Sequence, residues 1–183
     1  KQTALEKLCV GGTAITELNL SQNPELVDLN ISKTNLQSID LKDNANIQTL
    51  NVKLSKLKKL DISKQTNLHE LYADSTDLSR IDLVGKRFIR QIKARNTKIE
   101  FLDLHSCMGY NRLNMLDIRD CKNMTPQTLN FTYQAMPYHD GITRKRDGNN
   151  VLLAGSNVEH SNTALIPADA ANYYSVDVQG DGQ

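Results

Sequence analysis

The 183-residue sequence predicts an α/β solenoid, in which short repeats of chain stack on one another around an aliphatic core, followed by an α/β cap. Three observations predict it. Elements of the form LxL recur at a constant step of 21 residues, and their apolar residues alternate with polar ones as in a β-strand. No part of the repeated region keeps the three- and four-residue spacing of an amphipathic helix. Self-similarity at a fixed period is the sequence signature of stacked repeats.

Two series of LxL elements share this period. The first series begins at Leu8, Leu29, Leu50, Leu71 and Ile92, and the second begins at Leu18, Ile39, Leu60, Ile81 and Leu102. A single repeat cannot bury enough aliphatic surface to offset the entropy of ordering its backbone. We therefore expect each repeat to be stable only when neighbours cover it.

The residue five positions after the start of each LxL element forms a further column. In the first series this column is a hydroxyl ladder, made of Thr13, Thr34, Ser55, Thr76 and Thr97. In the second series it is an amide ladder, made of Asn23, Asn44, Gln65, Lys86 and Cys107. Side chains stacked at a bend can satisfy backbone groups that have left the strand ladder. Both ladders are therefore predicted to be structural.

The combined pattern LxxLxLxx(N/T)xL and LDLxxN resembles the leucine-rich repeats, and specifically a 21-residue class with two LxL elements per repeat found in internalin-like bacterial surface proteins. The matching segments include "SIDLKDNANI", "KLDISKQTNL", "RIDLVGKRFI" and "FLDLHSC", and the resemblance covers Leu5 to about Cys121. It implies a right-handed solenoid with parallel β-strands from the Thr-containing units on the concave side. The LDL units would form a mostly irregular or short-strand opposite side.

The character of the chain changes after residue 121. We predict a solenoid of about five repeats and a final strand over 1–121, and a C-terminal cap over 122–183. The segment "CMGYNR" lengthens one step from 11 to 14 residues, which predicts a loop before "MLDIRDC" and places Cys121 in the hydroxyl ladder. The first residues already read as part of a repeat, so we expect the natural chain to begin earlier.

The cap is predicted to contain two helices and two strands. Thr125 as N-cap and Pro126 at the first helical position mark the start of a helix near 125–136. A strand near 151–154, a short helix near 166–174 and a strand near 175–178 follow. Such a cap covers the sheet edge of the last repeat, which would otherwise favour association.

The outward residues of the first series are the predicted partner-binding site, because leucine-rich repeat proteins commonly bind macromolecules through this strand face. The candidates are Asp28, Asn30, Thr49, Asn51, Lys53, Glu70, Tyr72, Asp74, Gln91, Lys93 and Arg95. Tyr72 is the best single anchor, since tyrosine combines a large contact area with a polar tip. The alternative is that Tyr72 is an ordinary exposed strand tyrosine.

A column of aspartates is predicted on the second series. Asp40, Asp61, Asp82 and Asp103 occupy one outward position, with Lys42, Lys59, Arg80 and His105 as neighbours on the same face. Adjacent carboxylates repel each other and need such compensation. A charge-balanced solvated surface is the favoured interpretation, and the alternatives are calcium bound along the column or a contact surface for a cationic partner.

Composition and motifs exclude several classes of function. The net charge is +1 with interspersed signs, and aromatic residues are 5% with no Trp, which predicts no nucleic-acid partner. No apolar run approaches the roughly 20 residues that cross a bilayer, so no membrane insertion of this fragment is expected. The three cysteines have no zinc-type spacing and are predicted to be free thiols, and we expect neither metal nor cofactor.

A thiol hydrolase would have to use Cys121 with His139, Asp140 and His160. Cys121 lies at a ladder position where a buried side chain is expected, and adjacent His139 and Asp140 are poorly arranged to orient each other. The sequence therefore predicts a non-enzymatic, monomeric module that binds a protein or another surface macromolecule. The resemblance implies a bacterial extracellular or cell-surface location and a role in adhesion or host interaction. The alternative is a substrate-locating or spacer region of a larger secreted or surface protein.

Overall fold

A computed structural model describes residues 4–108, 113, 115–125, 128, 132, 149–154 and 174–179. In these residues the chain forms one parallel β-sheet whose eight strands follow sequence order. The strands are β1 (Lys7–Cys9), β2 (Asp28–Asn30), β3 (Thr49–Asn51), β4 (Glu70–Tyr72), β5 (Gln91–Lys93), β6 (Met115–Asp117), β7 (Asn149–Ala154) and β8 (Tyr174–Gln179). A short 3-10 helix (His105–Met108) precedes β6.

The strands β1 to β5 are stacked one repeat apart. Leu29 pairs with Leu50, Leu50 with Leu71, and Leu71 with Ile92. The predicted stacking of the first LxL series is therefore confirmed. The next pair joins Ile92 to Leu116, at a step of 24 residues, so the sheet keeps its register across the insertion.

The core is a continuous aliphatic column between the two sides of the solenoid. The central residues of strands β2 to β6, from Leu29 to Leu116, have no exposed surface. On the opposite side the second apolar residue of each LxL element is no more than 2% exposed: Leu20, Leu41, Ile62, Leu83 and Leu104. Leu8 in the first strand is only partly buried, because it pairs with a neighbouring strand on one side alone. In the first LxL series burial thus depends on having a neighbour on each side, as expected for a stacked core.

The two LxL series differ in their backbone hydrogen bonds. On the sheet side the ladder continues past the strands, since Val52 N donates to Tyr72 O at 2.8 Å and Leu54 N to Asp74 O at 2.9 Å. The second series forms no strand in the described repeats. There the outward carboxylates accept hydrogen bonds from N–H groups of their own repeat, as Asp61 Oδ1 does from Ser63 N at 2.9 Å. Local side-chain bonds of this kind compete with a strand ladder.

A column of left-handed residues turns the chain out of the sheet after each strand. Among the described residues the φ angles are +53° to +60° at the non-glycine members, Lys33, Leu54, Ser75, Asn96 and Asp120, and +78° at Gly12. Their N–H groups bond to the next repeat, as Lys33 N does to Lys53 O at 2.7 Å. At the five non-glycine members the backbone is therefore strained at this position, whereas Gly12 adopts the conformation without strain.

We expect removing a glycine on one side of the solenoid and introducing one on the other side to change the stability in opposite directions. Gly85 has φ +77° and no atom within 4 Å of an added Cβ, so Gly85→Ala should destabilise the protein by about 1 kcal/mol through backbone strain alone. Exposed Lys33 has φ +54°, and Lys33→Gly should stabilise it by about 0.5 to 1 kcal/mol. Urea unfolding followed by circular dichroism measures both. Changes of the same sign would contradict this account.

The described part of the C-terminal region extends the sheet. Asn150 of β7 pairs with Met115, and Val176 of β8 pairs with Val151. Thr128 and Thr132 are helical, and the buried Thr132 hydroxyl accepts a hydrogen bond from Leu102 N at 3.1 Å. The rest of the helix predicted near 125–136 lies outside the described residues. The helix predicted near 166–174 also lies outside the described residues, except for Tyr174, which is the first residue of β8. The boundary at residue 121 stays a prediction.

Candidate functional site

The eleven predicted partner-binding residues form three columns on one side of strands β2 to β5. The strand pairing aligns Asp28, Thr49, Glu70 and Gln91 in one column, and Asn30, Asn51, Tyr72 and Lys93 in another. Lys53, Asp74 and Arg95 follow two residues after their strands. In each three-residue strand the first and last residues, which belong to these columns, are half-buried, and the central residue is fully buried. Neighbours in a column are separated by the strand spacing of about 4.8 Å.

Tyr72 lies in a network that joins two adjacent strands. Its hydroxyl donates to Glu70 Oε2 at 2.8 Å, and Gln91 Oε1 lies 3.3 Å away. Lys93 Nζ lies 5.6 Å from the centroid of the Tyr72 ring, within range of a cation–π interaction. Burial, followed by the hydrogen bond to Glu70, raises the pKa of Tyr72 to about 12. The phenol therefore stays protonated near neutral pH, and its ring is half-buried with a fixed hydroxyl.

Asp74 connects three successive repeats. Its carboxylate lies 3.1 Å from Lys53 Nζ and accepts a hydrogen bond from Arg95 N at 3.0 Å. The Arg95 side chain is held in turn, because its Nε donates to Asp120 Oδ2 at 2.8 Å. The Asp74 side chain is only 13% exposed. This candidate residue therefore holds the neighbouring cations in place and offers little surface of its own.

Two other candidates also have local structural contacts. Asn30 Oδ1 accepts a hydrogen bond from Ser32 N at 3.0 Å, and Asn51 Oδ1 accepts one from Lys53 N at 3.2 Å. Each bond satisfies an N–H group just beyond the end of its strand. Only the remaining amide groups of Asn30 and Asn51 are available to a partner.

Sequence reasoning missed the last members of these columns. Asp117 pairs with Lys93 in the sheet, and Arg119 donates to both Asp117 carboxylate oxygens, at 2.9 and 2.7 Å. Asp117 is buried, with its side chain 7% exposed. Extending the columns by 24 residues, the step already implied by the position of Cys121, would have found both residues.

A concavity of about 630 Å³ lies where the predicted and the missed residues meet. Its charged lining residues are Lys53, Asp74, Lys93, Arg95, Asp117, Arg119, Asp120 and Lys122. Charges of both signs line it, and Leu54 is its single apolar side chain. The concavity can therefore hold polar or ionic groups of a partner, while an apolar anchor would find little to pack against.

Four members of the hydroxyl ladder bond to the backbone, as predicted, namely Thr13, Thr34, Thr76 and Thr97, whereas the buried Ser55 hydroxyl has no hydrogen-bond partner within the described residues. Thr34 Oγ1 donates to Ile31 O at 2.8 Å and Thr97 Oγ1 to Ala94 O at 2.9 Å. Cys121 continues this ladder, because its Sγ lies 3.2 Å from the Thr97 hydroxyl and 3.1 Å from Ala94 O. Burial raises the pKa of the Cys121 thiol, which makes it a poor nucleophile near neutral pH. The other residues considered for a thiol hydrolase, His139, Asp140 and His160, lie outside the described residues.

The amide ladder bridges successive repeats on the opposite side. Gln65 Nε2 donates to Leu41 O at 2.8 Å and to Asn44 O at 3.1 Å. Cys107 ends the ladder as a free thiol on the other side of the solenoid from Cys121, and burial raises its pKa to about 12. Lys86, between Gln65 and Cys107, has no exposed surface and donates from Nζ to Val84 O at 3.2 Å.

The aspartate column is balanced by nearby cations and backbone N–H groups. Three of the four expected partners are in place: Lys42–Asp40 at 3.1 Å, Arg80–Asp82 at 3.8 Å and His105–Asp103 at 2.8 Å. Within the described chain Lys59 does not pair with Asp61, whose carboxylate bonds to Ser63 N. That hydrogen bond is the main cause of the lowered pKa of Asp61. Nor do the described residues bring three or more His, Cys, Asp or Glu side chains together as a metal site.

Solved structures with the same architecture come from two bacteria. The functional domain of InlJ from Listeria monocytogenes, which includes a cysteine ladder, has a TM-score of 0.66 and 21% identity, over 85% of this chain and 32% of that one. A leucine-rich repeat protein of Leptospira interrogans has a TM-score of 0.59 and 13% identity, over 94% of this chain and 48% of that one. This chain thus spans a third to a half of their lengths.

No protein-family model and no curated protein matches the sequence. At such low identities the structural similarity shows the fold alone. The chain has the leucine-rich repeat fold, which confirms the fold predicted from the repeat pattern. No helix within the described ranges is both long and apolar enough to span a membrane.

Proposed function

We propose that this chain is a non-enzymatic module that binds a protein or another macromolecule through its strand face, the surface formed by the eleven outward residues of β2 to β5 and their following positions. It acts as a monomer at a bacterial cell surface or outside the cell, in adhesion or host interaction. The leucine-rich repeat fold supports a binding role, and the resemblance of the repeat pattern to internalin-like bacterial surface proteins is the ground for the proposed location.

The observation that carries the proposal is the network around Tyr72. Glu70, Gln91 and Lys93 surround the phenol, and the Asp74 carboxylate lies between Lys53 and Arg95. Side chains held this way lose little conformational entropy when a partner binds. Half-buried aromatic and arginine side chains are also the residue types that contribute most to binding energy at interfaces.

The chemistry of Cys121 supports a role without catalysis. Its thiol is buried, and its raised pKa and ladder contacts are those of a structural cysteine. The described residues therefore offer no activated nucleophile at this position.

The proposal is tested by removing the centre of the strand face. The triple variant Tyr72→Ala, Lys93→Ala, Arg95→Ala should bind bacterial or host surface preparations at least about tenfold more weakly than the unmodified chain, because it lacks the aromatic anchor and two half-exposed cations. Retention of surface-biotinylated material on the immobilised protein measures this.

A control variant keeps the strand face and changes exposed cations on the LDL side, Lys59→Ala, Lys64→Ala and Arg87→Ala. It should retain as much material as the unmodified chain. Unchanged retention by the strand-face variant, with its circular dichroism spectrum intact, would reject this binding face and favour the spacer alternative.

A further inference from the structure

Two concavities flank the column of left-handed residues at the ends of strands β3 to β6. The first is the 630 Å³ concavity beside the strand face. The second, of about 480 Å³, lies on the other side of the column and includes Lys56, Asp77, Lys98, Lys122 and Asn123 in its lining. The left-handed residues Leu54, Ser75, Asn96 and Asp120 belong to both linings, and so does Lys122. We call this whole surface the turn edge.

Positive charge is concentrated on the turn edge in two parallel columns. The column on the strand-face side contains Lys53, Asp74, Arg95 and Arg119, and the column on the far side contains Lys56, Asp77, Lys98 and Lys122. With Lys93, Asp117 and Asp120 the two linings hold seven basic and four acidic side chains. The whole chain is nearly neutral at +1, so this excess is local.

Part of this charge is available to a ligand. Four of the seven basic side chains form ion pairs with the four acidic ones: Lys53–Asp74, Arg95–Asp120, Lys98–Asp77 and Arg119–Asp117. The side chains of Arg95 and Lys98 are 51% and 62% exposed. Arg95 bonds to Asp120 through Nε only, and no described side chain accepts a hydrogen bond from its two terminal nitrogens. Lys56 and Lys122 make no ion pair with any residue in the described ranges. In each column two cations lie on adjacent repeats and a third lies two repeats before them, an arrangement that suits a linear ligand with several anions.

We propose that the turn edge binds a sulfated polysaccharide. This inference rests on the proposed binding function and names one partner class, recognised beside the strand face. Sulfate groups would bind the two cationic columns, and sugar hydroxyls would donate to Asp77 and Asp120, whose side chains are 41% and 25% exposed. A ligand that carries anions and hydroxyl donors together fits this mixture of charges.

The same lining disfavours the other polyanions. Neither concavity is lined by an aromatic side chain, so nucleic-acid bases have no stacking surface there. The four carboxylates would repel a uniformly charged phosphate chain. A protein interface would need apolar or aromatic anchors, and Leu54 is the single apolar lining residue.

The test measures binding of a size-defined heparin fragment to the purified chain by isothermal titration calorimetry at low salt. The far column is removed in the variant Lys56→Gln, Lys98→Gln, Lys122→Gln, which should bind heparin about tenfold more weakly. The matched control Lys59→Gln, Lys64→Gln, Arg87→Gln removes three exposed cations from the LDL side and should bind as tightly as the unmodified chain. Binding should also weaken with added salt.

Two further ligands distinguish the partner classes. Desulfated heparin should bind much more weakly than heparin, and so should a single-stranded RNA of similar length. Absence of heparin binding, equal binding of RNA, or equal weakening in the control variant would each overturn the proposal. The heparin test is distinguishable from the strand-face test because the far-column variant leaves every strand-face residue unchanged, although Lys93 and Arg95 line both surfaces. Loss of heparin binding in the far-column variant with unchanged retention of surface material would separate the two.

Discussion

Replacing Leu50 with alanine is expected to lower the free energy of unfolding by about 2 to 5 kcal/mol, the usual cost of a cavity in a packed core. Leu50 has no exposed surface, and it pairs with Leu29 on one side and Leu71 on the other. The cooperativity of unfolding in a solenoid depends on the interfaces between adjacent repeats, because each repeat contacts only its neighbours. The cavity should therefore weaken two repeat interfaces at once and broaden the urea transition followed by circular dichroism.

Two matched variants test whether this cost comes from stacking. Leu8 occupies the same column as Leu50, but it is only partly buried and pairs on one side with Leu29. Leu8→Ala should cost less than half as much as Leu50→Ala. Val84 is 69% exposed, and Val84→Ala should change stability by no more than about 0.5 kcal/mol. Equal losses for Leu8→Ala and Leu50→Ala would show that burial between neighbouring repeats does not determine stability.

Periodicity was sufficient to predict the stacking of the repeats and their register. Leu8, Leu29, Leu50, Leu71 and Ile92 lie opposite one another because equal steps along the chain give equal positions in successive repeats. The ladder position of Cys121 followed from the same arithmetic once three inserted residues were counted. Such predictions succeed because a stacked core allows little variation in repeat length.

Periodicity could not show which LxL series forms strands, since both have the same alternation. That choice depends on where each N–H group bonds. The carboxylates of the outward Asp40 and Asp61 accept hydrogen bonds from N–H groups of their own repeats. Val52 N and Leu54 N instead donate to carbonyl groups of the next repeat. The left-handed residues were not predicted either, because side chains as different as those of Leu54 and Ser75 fill the same backbone position.

The outward placement of the candidate residues was predicted, but only some of their contacts were, and their role as a binding site stays a prediction. The alternation of each strand placed Tyr72 and Lys93 on the outward side, and the structure brings them together. It also uses the Asp74 carboxylate to bind the backbone of Arg95, a bond across repeats that sequence spacing does not show. The contribution of Asp117 was missed because it lies beyond the change in step.

Lys86 is the member of the amide ladder whose side chain fits its buried position least well. Its side chain is fully buried, and its ammonium group, which has three donors, bonds to Val84 O alone in the described structure. Burial lowers the pKa of Lys86, and the opposing effects of Asp82, Cys107 and Asp61 do not restore it. Burial therefore disfavours the charged form of this side chain, so the lysine costs stability at neutral pH.

Lys86→Gln is expected to stabilise the protein by about 1 to 2 kcal/mol at pH 7, because it removes a poorly solvated charge from a buried position. The glutamine amide can donate to the preceding repeat as Gln65 does to Leu41 O and Asn44 O. Lys86→Met removes the charge without supplying the amide and should give a smaller gain. Lys64→Gln changes an exposed lysine nearby and should have almost no effect.

The advantage of Lys86→Gln should depend on pH in one direction. The pKa of Lys86 in the folded chain lies below the ordinary value of 10.5, so between these two values the unfolded chain binds more protons than the folded one. The stability of the unmodified protein therefore rises through this window relative to the variant, and the difference should be largest at neutral pH and shrink as the pH approaches 10.5. Urea unfolding at pH 7, 9 and about 10 measures the difference. A variant that is less stable than the unmodified protein at pH 7, or a gap that widens with pH, would show that the ladder accommodates the buried ammonium group.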